Sequence, residues 1–150
     1  MLTIVRSDSS HADFLSLVKL LDEDLARRDG EEHAFYAQFN KVDSIKNVLV
    51  AYEDGIAVGC GAFKPFVPDQ VEIKRMFVKK ELRGKGISKK ILAELENWAM
   101  TLGYRSCVLE TGKKQVEAIQ LYTGAGYSII PNYGQYSTIE NSICFEKSLL

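Results

Sequence analysis

VEIKRMFVKKELRGKGISKKIL, residues Val71 to Leu92, is the stretch on which the reading of this chain turns. It opens as a strand, Val71 to Val78, rich in apolar and β-branched residues. A charged turn follows at Lys79-Lys80-Glu81, then Arg83-Gly84-Lys85-Gly86-Ile87-Ser88. From Ile87 the pattern is helical, with Ile91, Leu92, Leu95, Trp98 and Ala99 at spacings of three and four. Strand, glycine turn and helix start together make an anion site. The first amides of a helix lack internal partners and face whatever precedes it, and the helix dipole favours negative charge there. Gly84 and Gly86 keep side chains away from that approach, and Arg83 and Lys85 add positive charge.

Two common nucleotide fingerprints are absent. No run fits the P-loop pattern G-x-x-x-x-G-K-[ST]. The dinucleotide pattern G-x-G-x-x-G fails at Gly84-Lys85-Gly86, which meets Lys89 where a third glycine belongs, and at Gly59-Cys60-Gly61, which meets Lys64.

The 150 residues suit one domain spanning 1–150, and 46% hydrophobic with 26% charged residues is ordinary globular composition. A formal net charge of −1 argues against a nucleic-acid binder. No apolar run approaches the roughly 20 residues of a membrane span, and MLTIVRSDSS lacks the features of a signal peptide. Cys60, Cys107 and Cys144 each sit in an apolar run without metal-ligand spacing. They read as buried free thiols in a reducing cytoplasm, and no metal is expected.

Outward from the central stretch, the chain opens with a strand at Leu2–Arg6 and a helix carrying Phe14, Leu17, Val18, Leu21 and Leu25. A second, aromatic helix is expected at Glu31–Asn40. Asn47–Tyr52 and Ile56–Phe63 flank Glu53-Asp54-Gly55, a hairpin signal. In the second of these strands Gly59 and Gly61 mark a weak strand or a close approach, and Lys64–Gln70, with two prolines, reads as a loop. After the central strand and helix, Gly103 suits a helix end. A strand at Arg105–Glu110, a helix at Gln115–Gly124 and a strand at Tyr127–Ile130 follow. A polar loop at Pro131–Asn141 precedes the last strand, Ser142–Lys147. The order β-α-α-β-β-β-α-β-α-β-β is a mixed α/β (α+β) fold with a largely antiparallel front half.

That order is similar to the GNAT superfamily of acyl-CoA N-acyltransferases. The x-x-Arg-Gly-x-Gly turn resembles its pyrophosphate motif. Ala118-Ile119-Gln120-Leu121-Tyr122 with Gly126-Tyr127 resembles its A-x-x-L-Y-x-x-x-G-F/Y segment. The resemblance implies a single domain with a central, mostly antiparallel sheet flanked by helices. Its function would be transfer of an acetyl group from acetyl-CoA to a primary amine by direct attack in a ternary complex. Backbone groups of Met76, Phe77 and Val78 would pair with the pantetheine arm as an added strand does. Arg83, Gly84, Lys85, Gly86, Ile87 and Ser88 would hold the pyrophosphate. Tyr122 would sit by the sulfur and protonate the leaving thiolate. Two positions depart from the family pattern. Glu81 stands where Gln or Arg is frequent, and Gln115 where Asn often binds the coenzyme.

An alkyl ammonium must lose a proton before it attacks a thioester. Glu72, on the central strand where the resemblance often places a carboxylate, is one candidate base, and Glu110 at the end of the next strand is another. Glu72 can equally pair with Lys74 or Arg75. Tyr133 and Tyr136 lie in the loop where relatives often contact the acceptor, and Arg75 or Lys74 is suited to a substrate carboxylate. The acceptor implied by the resemblance would be a small amine or an exposed protein amine. The basic cluster Lys79, Lys80, Arg83, Lys85, Lys89 and Lys90 fits a coenzyme bearing a 3′-phosphate. The alternatives are a non-catalytic acyl-CoA binder and a nucleic-acid module using that cluster, which lacks interleaved aromatics. Pairing of the last strands across two chains would give a homodimer.

Overall fold

A computed structural model describes residues 1–29 and 44–150. The expected helix at Glu31–Asn40, with His33, lies outside the described residues. Among them are strands β1 (Leu2–Ser7), β2 (Asn47–Glu53), β3 (Ile56–Val67), β4 (Gln70–Val78), β5 (Ser106–Gly112), β6 (Ser128–Ile130) and β7 (Ser142–Ser148). The helices are α1 (Ala12–Asp29), α2 (Ile87–Thr101) and α3 (Val116–Gly124). The strands form one sheet in the order β1-β2-β3-β4-β5-β7-β6. The β4–β5 pair is parallel, and β1–β2, β2–β3, β5–β7 and β6–β7 are antiparallel. The fold class read from the sequence therefore stands. The chain groups into two compact units, Met1–Lys64 with Ile73–Leu95, and Pro65–Glu72 with Glu96–Leu150.

In the first unit, the apolar stripe of α1 (Phe14, Leu17, Val18 and Leu21) packs on Val48 and Val50 of β2, Cys60 and Ala62 of β3 and Phe77 of β4. Alternation turns Gly59 and Gly61 to the opposite face, under α2. A Cβ on Gly61 would stand 2.6 Å from the Met76 sulfur and 2.9 Å from Ile91 and Leu95. These glycines mark a close approach of helix to strand. The β2–β3 turn has Asp54 and Gly55 at φ +51° and +82°, the two left-handed residues of a tight hairpin.

One expectation fails. Lys64–Gln70 is not a loop, because β3 runs on to Val67 and β4 begins at Gln70. Pro68 and Asp69 alone make the turn, with Asp69 taking the left-handed corner at φ +66°. Proline sets the first corner and aspartate tolerates the second, so no glycine is needed.

In the second unit, the first residues of β4 pair with β5 from Gln70 opposite Ser106 to Glu72 opposite Val108. Strand β5 pairs with β7 along its whole length. One face is apolar, with Val71, Cys107, Leu109 and Phe145 fully buried beside Tyr122 and Tyr127. A buried polar group also lies there, where Glu96 accepts from the Tyr127 hydroxyl at 2.8 Å and from Lys147 Nζ at 2.9 Å. The end of α2 closes as expected at Gly103 (φ +93°), where Tyr104 N–H reaches Ala99 C=O at 3.0 Å and Gly103 N–H reaches Met100 C=O at 3.0 Å.

Candidate active site

The glycine turn of the first unit is built by its backbone. A single 3₁₀ turn at Lys80–Leu82 carries the chain out of β4. Gly84 and Gly86 then adopt φ +84° and +81°, a region that costs an L-residue roughly 1–2 kcal/mol. A Cβ on either would meet nothing within 4 Å. Glycine is therefore required by the sign of φ, not by crowding, and the space in front of the backbone is open. Lys90 N–H bonds Gly86 C=O at 3.2 Å, so Gly86 caps α2 and offers no side chain to its amides. The N–H groups of Ile87, Ser88 and Lys89 lie ahead of the helical ladder. Ile87 is buried and anchors this helix start, whereas Lys85, Lys89, Lys90 and Glu81 are exposed.

Arg83 departs from the simple picture of a phosphate ligand. Its Nε donates to Val78 C=O at 2.9 Å, its guanidinium reaches Asp24 at 3.3 Å and its carbon lies 5.5 Å from the Phe77 ring centroid. Of the β4 groups assigned to a donor's arm, Val78 C=O is therefore already engaged by a side chain. The neighbouring Lys79 N–H bonds Val58 C=O at 2.9 Å.

Arg75 is the other surprise of β4. It holds φ +60° in mid-strand, a conformation that persists only when its surroundings fix it. Its side chain is 2% exposed and bonds Asp22 of α1 at 3.2 Å. That contact commits it to α1 rather than to solvent. Nothing local in the sequence announces Asp22 and Asp24 as partners of two arginines so far along the chain.

In the second unit the structure gathers four of the sequence-derived candidates. Glu72, 3% exposed, accepts the Tyr133 hydroxyl at 2.7 Å. Glu110 accepts the Ser142 hydroxyl at 2.6 Å. The Tyr133 and Tyr136 rings meet edge to face at 6.0 Å and 87°, and Phe66 tilts on Tyr133 at 4.8 Å. Tyr136 is buried. Register explains the gathering. Glu72 faces Val108, Glu110 lies two residues further along the same face, and Cys144 opposite Glu110 puts Ser142 on that face as well. Ser142 and Phe66 are absent from the sequence-derived set. The first is visible only through strand register, and the second was hidden by reading its segment as a loop.

The electrostatics follow from burial. The Tyr133 phenol is pushed up by burial and then by Glu72. That of Tyr136 is pushed up by burial, then by Glu110 and Glu72. Tyr122, buried on α3 with its ring edge-on to Tyr127 at 5.7 Å and tilted on Phe145 at 6.0 Å, is raised by burial and then by Glu110. A phenol so placed keeps its proton at neutral pH, the state an acid must hold. Gln115 stands half-buried at the N-cap of α3 without a side-chain cap bond. The three thiols are free and buried. Burial pushes those of Cys60 and Cys107 up to about 12, which disqualifies them as nucleophiles. Among the described residues no group of His, Cys, Asp or Glu could hold a metal, and no helix is long and apolar enough to cross a membrane.

The mixed sheet thus carries a glycine-capped helix start after β4 in the first unit, and the second unit carries a buried tyrosine on α3. The chain belongs to the acetyltransferase (GNAT) family, whose profile matches residues 14–127. It is 36% identical over 102 residues to an IAA acetyltransferase of Azospirillum brasilense, covering 67% of each chain. It is 35% identical over 85 residues to the uncharacterized N-acetyltransferase YjgM of Escherichia coli, covering 55% of this chain and 50% of that one. The chain thus spans about half the length of the second relative. A solved structure from Klebsiella pneumoniae, provisionally named an acyl-CoA N-acyltransferase, superimposes with a TM-score of 0.83 at 29% identity, covering 100% of this chain and 99% of that one. The PaiA N-acetyltransferase of Thermoplasma acidophilum, solved with coenzyme A, gives 0.74 at 17% identity, covering 99% of both chains. At that identity the likeness is one of fold.

Proposed function

We propose that residues 1–150 act as one N-acetyltransferase domain that takes an acetyl group from acetyl-CoA to a primary amine by direct attack in a ternary complex. The carrying observation is the turn at Gly84–Gly86, left-handed at both glycines, open in front and ending in a helix whose amides have no side-chain cap. Such a turn suits a pyrophosphate, and coenzyme A in the Thermoplasma relative supports that donor. Backbone groups of Met76 and Phe77 receive the pantetheine arm, Gly84 to Ser88 the pyrophosphate, and the exposed lysines the 3′-phosphate. Gln115 reaches the coenzyme from the start of α3.

In the chemical step the amine nitrogen bonds the thioester carbonyl carbon and the carbon–sulfur bond breaks. The amine's proton passes to a carboxylate, Glu72 or Glu110, directly or through water. The thiolate takes the Tyr122 proton. Calorimetric titration with acetyl-CoA, CoA and 3′-dephospho-CoA tests the donor. Binding of acetyl-CoA, weakened by loss of the 3′-phosphate, is expected, and no binding of any of the three refutes the reading.

A further inference from the structure

Resting on the donor reading, we infer that Asp24 of α1 is a positioning residue for the coenzyme, acting through Arg83 to hold the glycine turn in place. The groups this turn offers a phosphate are backbone amides, so its affinity depends on how firmly that backbone is held before the donor arrives. Gly84, Lys85 and Gly86 are all exposed, and a Cβ on either glycine would meet nothing within 4 Å. The span is therefore held from its two ends. At the far end Ile87 is buried. At the near end the Arg83 side chain is the anchor. Its Nε turns back to the Val78 carbonyl at 2.9 Å, and its Nη2 reaches the Asp24 carboxylate at 3.3 Å. The guanidinium carbon lies 5.5 Å from the centroid of the Phe77 ring, and Phe77 belongs to the core built with Phe14, Leu17 and Val18 of α1. Lys79 N–H on Val58 C=O, at 2.9 Å, ties the same corner to β3. The pair is largely covered, with Arg83 28% and Asp24 15% exposed, so water screens it less than a surface pair. Asp24 also accepts Arg27 at 3.0 Å, and the role assigned to it does not require Arg83 to be its one partner. A guanidinium donates in two directions from one rigid fork, whereas a lysine ammonium acts as a point charge. A phosphate ligand would gain from losing a competing carboxylate, and a strut would lose its footing. The two roles therefore give the removal of Asp24 opposite signs.

The test is calorimetric titration of the full chain with acetyl-CoA in the wild type, Arg83→Lys, Asp24→Asn and the double variant, at a temperature where circular dichroism finds them folded. Arg83→Lys keeps the charge, and Asp24→Asn keeps the size of the side chain. Arg83→Lys is expected to weaken acetyl-CoA about tenfold, what freeing the backbone of one residue costs a binding equilibrium. Asp24→Asn is expected to weaken it about fivefold, and the double variant to stay within about twofold of Arg83→Lys, because the two act as one unit. A pair that merely stabilised the fold would lower the melting temperature and leave the affinity of the folded protein unchanged. Unchanged or tighter binding in Asp24→Asn overturns the inference. Wild-type affinity in Arg83→Lys also overturns it, since charge alone then suffices, and this variant decides by itself if Asp24→Asn does not fold. A double variant weakened by the product of the single effects shows Asp24 acting through another group and overturns it as well. All three of these leave the donor site standing. A wild type that binds no acetyl-CoA refutes the donor reading itself, and the inference falls with it.

Discussion

The glycine turn of the first unit and the tyrosine–carboxylate face of the second are made in opposite ways. The turn is backbone: two left-handed glycines and the amides of one helix start, contributed by consecutive residues. The face is side chain: Glu72 from β4, Glu110 from β5, Ser142 from β7, and Tyr133 and Tyr136 from the segment between β6 and β7. A site of consecutive backbone groups tolerates changes of side-chain identity but not of backbone sign. A site of converging side chains has the reverse sensitivity, and each member depends on its partner's hydroxyl or carboxylate.

The largest expected effect falls on the chemistry. Tyr122→Phe should lower kcat by about 100-fold or more, the usual worth of a positioned acid, with acetyl-CoA affinity unchanged by calorimetry. Equal turnover removes Tyr122 from the mechanism. Its alkaline limb is also defined. Burial and Glu110 both raise Tyr122, so wild-type kcat should show no loss from this phenol below about pH 10, its ordinary value.

The backbone character of the turn is tested next. Gly86→Ala should weaken acetyl-CoA about tenfold while costing roughly 1–2 kcal/mol of stability in urea, because the added methyl meets nothing and only the φ is wrong. Lys85→Ala should weaken binding no more than about threefold, since an exposed lysine acts as a screened point charge. A larger effect from Lys85 than from Gly86 would reverse the assignment and make the turn a side-chain site.

The same contrast explains what the sequence made legible. Gly84 and Gly86 are read directly because a left-handed turn before a helix is a local requirement. Ala118 to Tyr122 is read likewise from one helix face. Glu72 and Tyr133 could each be named as candidates, but their hydrogen bond joins residues 61 apart, and no periodicity encodes it. Residue type points Arg83 to phosphate, whereas its guanidinium folds back on Val78 and Asp24. Arg75 shows the limit most sharply. Its strand pattern is ordinary, yet it sits at φ +60°, with its side chain on Asp22 and its carbonyl accepting from the Cys60 thiol at 3.3 Å. The extension of β3 through Pro65 to Val67 was obscured because proline argues against a strand interior.

The smallest effect isolates the side-chain face through its linkage to pH. Tyr133→Phe removes the hydroxyl bonded to Glu72 and should cost about 1–2 kcal/mol at neutral pH by leaving a buried acceptor short of a donor. The folded phenol is raised above its ordinary 10.0 by burial and Glu72. Its stabilising contribution is complete below that value and is lost as pH climbs above it, where the unfolded chain gives up a proton that the folded chain keeps. Over that range one such tyrosine steepens the fall of stability by about 1.4 kcal/mol per pH unit. Cys60 and Cys107, held at about 12, add their own fall above their ordinary 9.0 in both proteins and cancel in the difference. Urea unfolding from pH 9 to 11 should therefore give a shallower decline for Tyr133→Phe than for the wild type, the two curves converging as pH rises. Parallel curves would mean that Tyr133 ionises as freely in the folded chain as in the unfolded one, and the buried bond to Glu72 on which the face depends would be absent in solution.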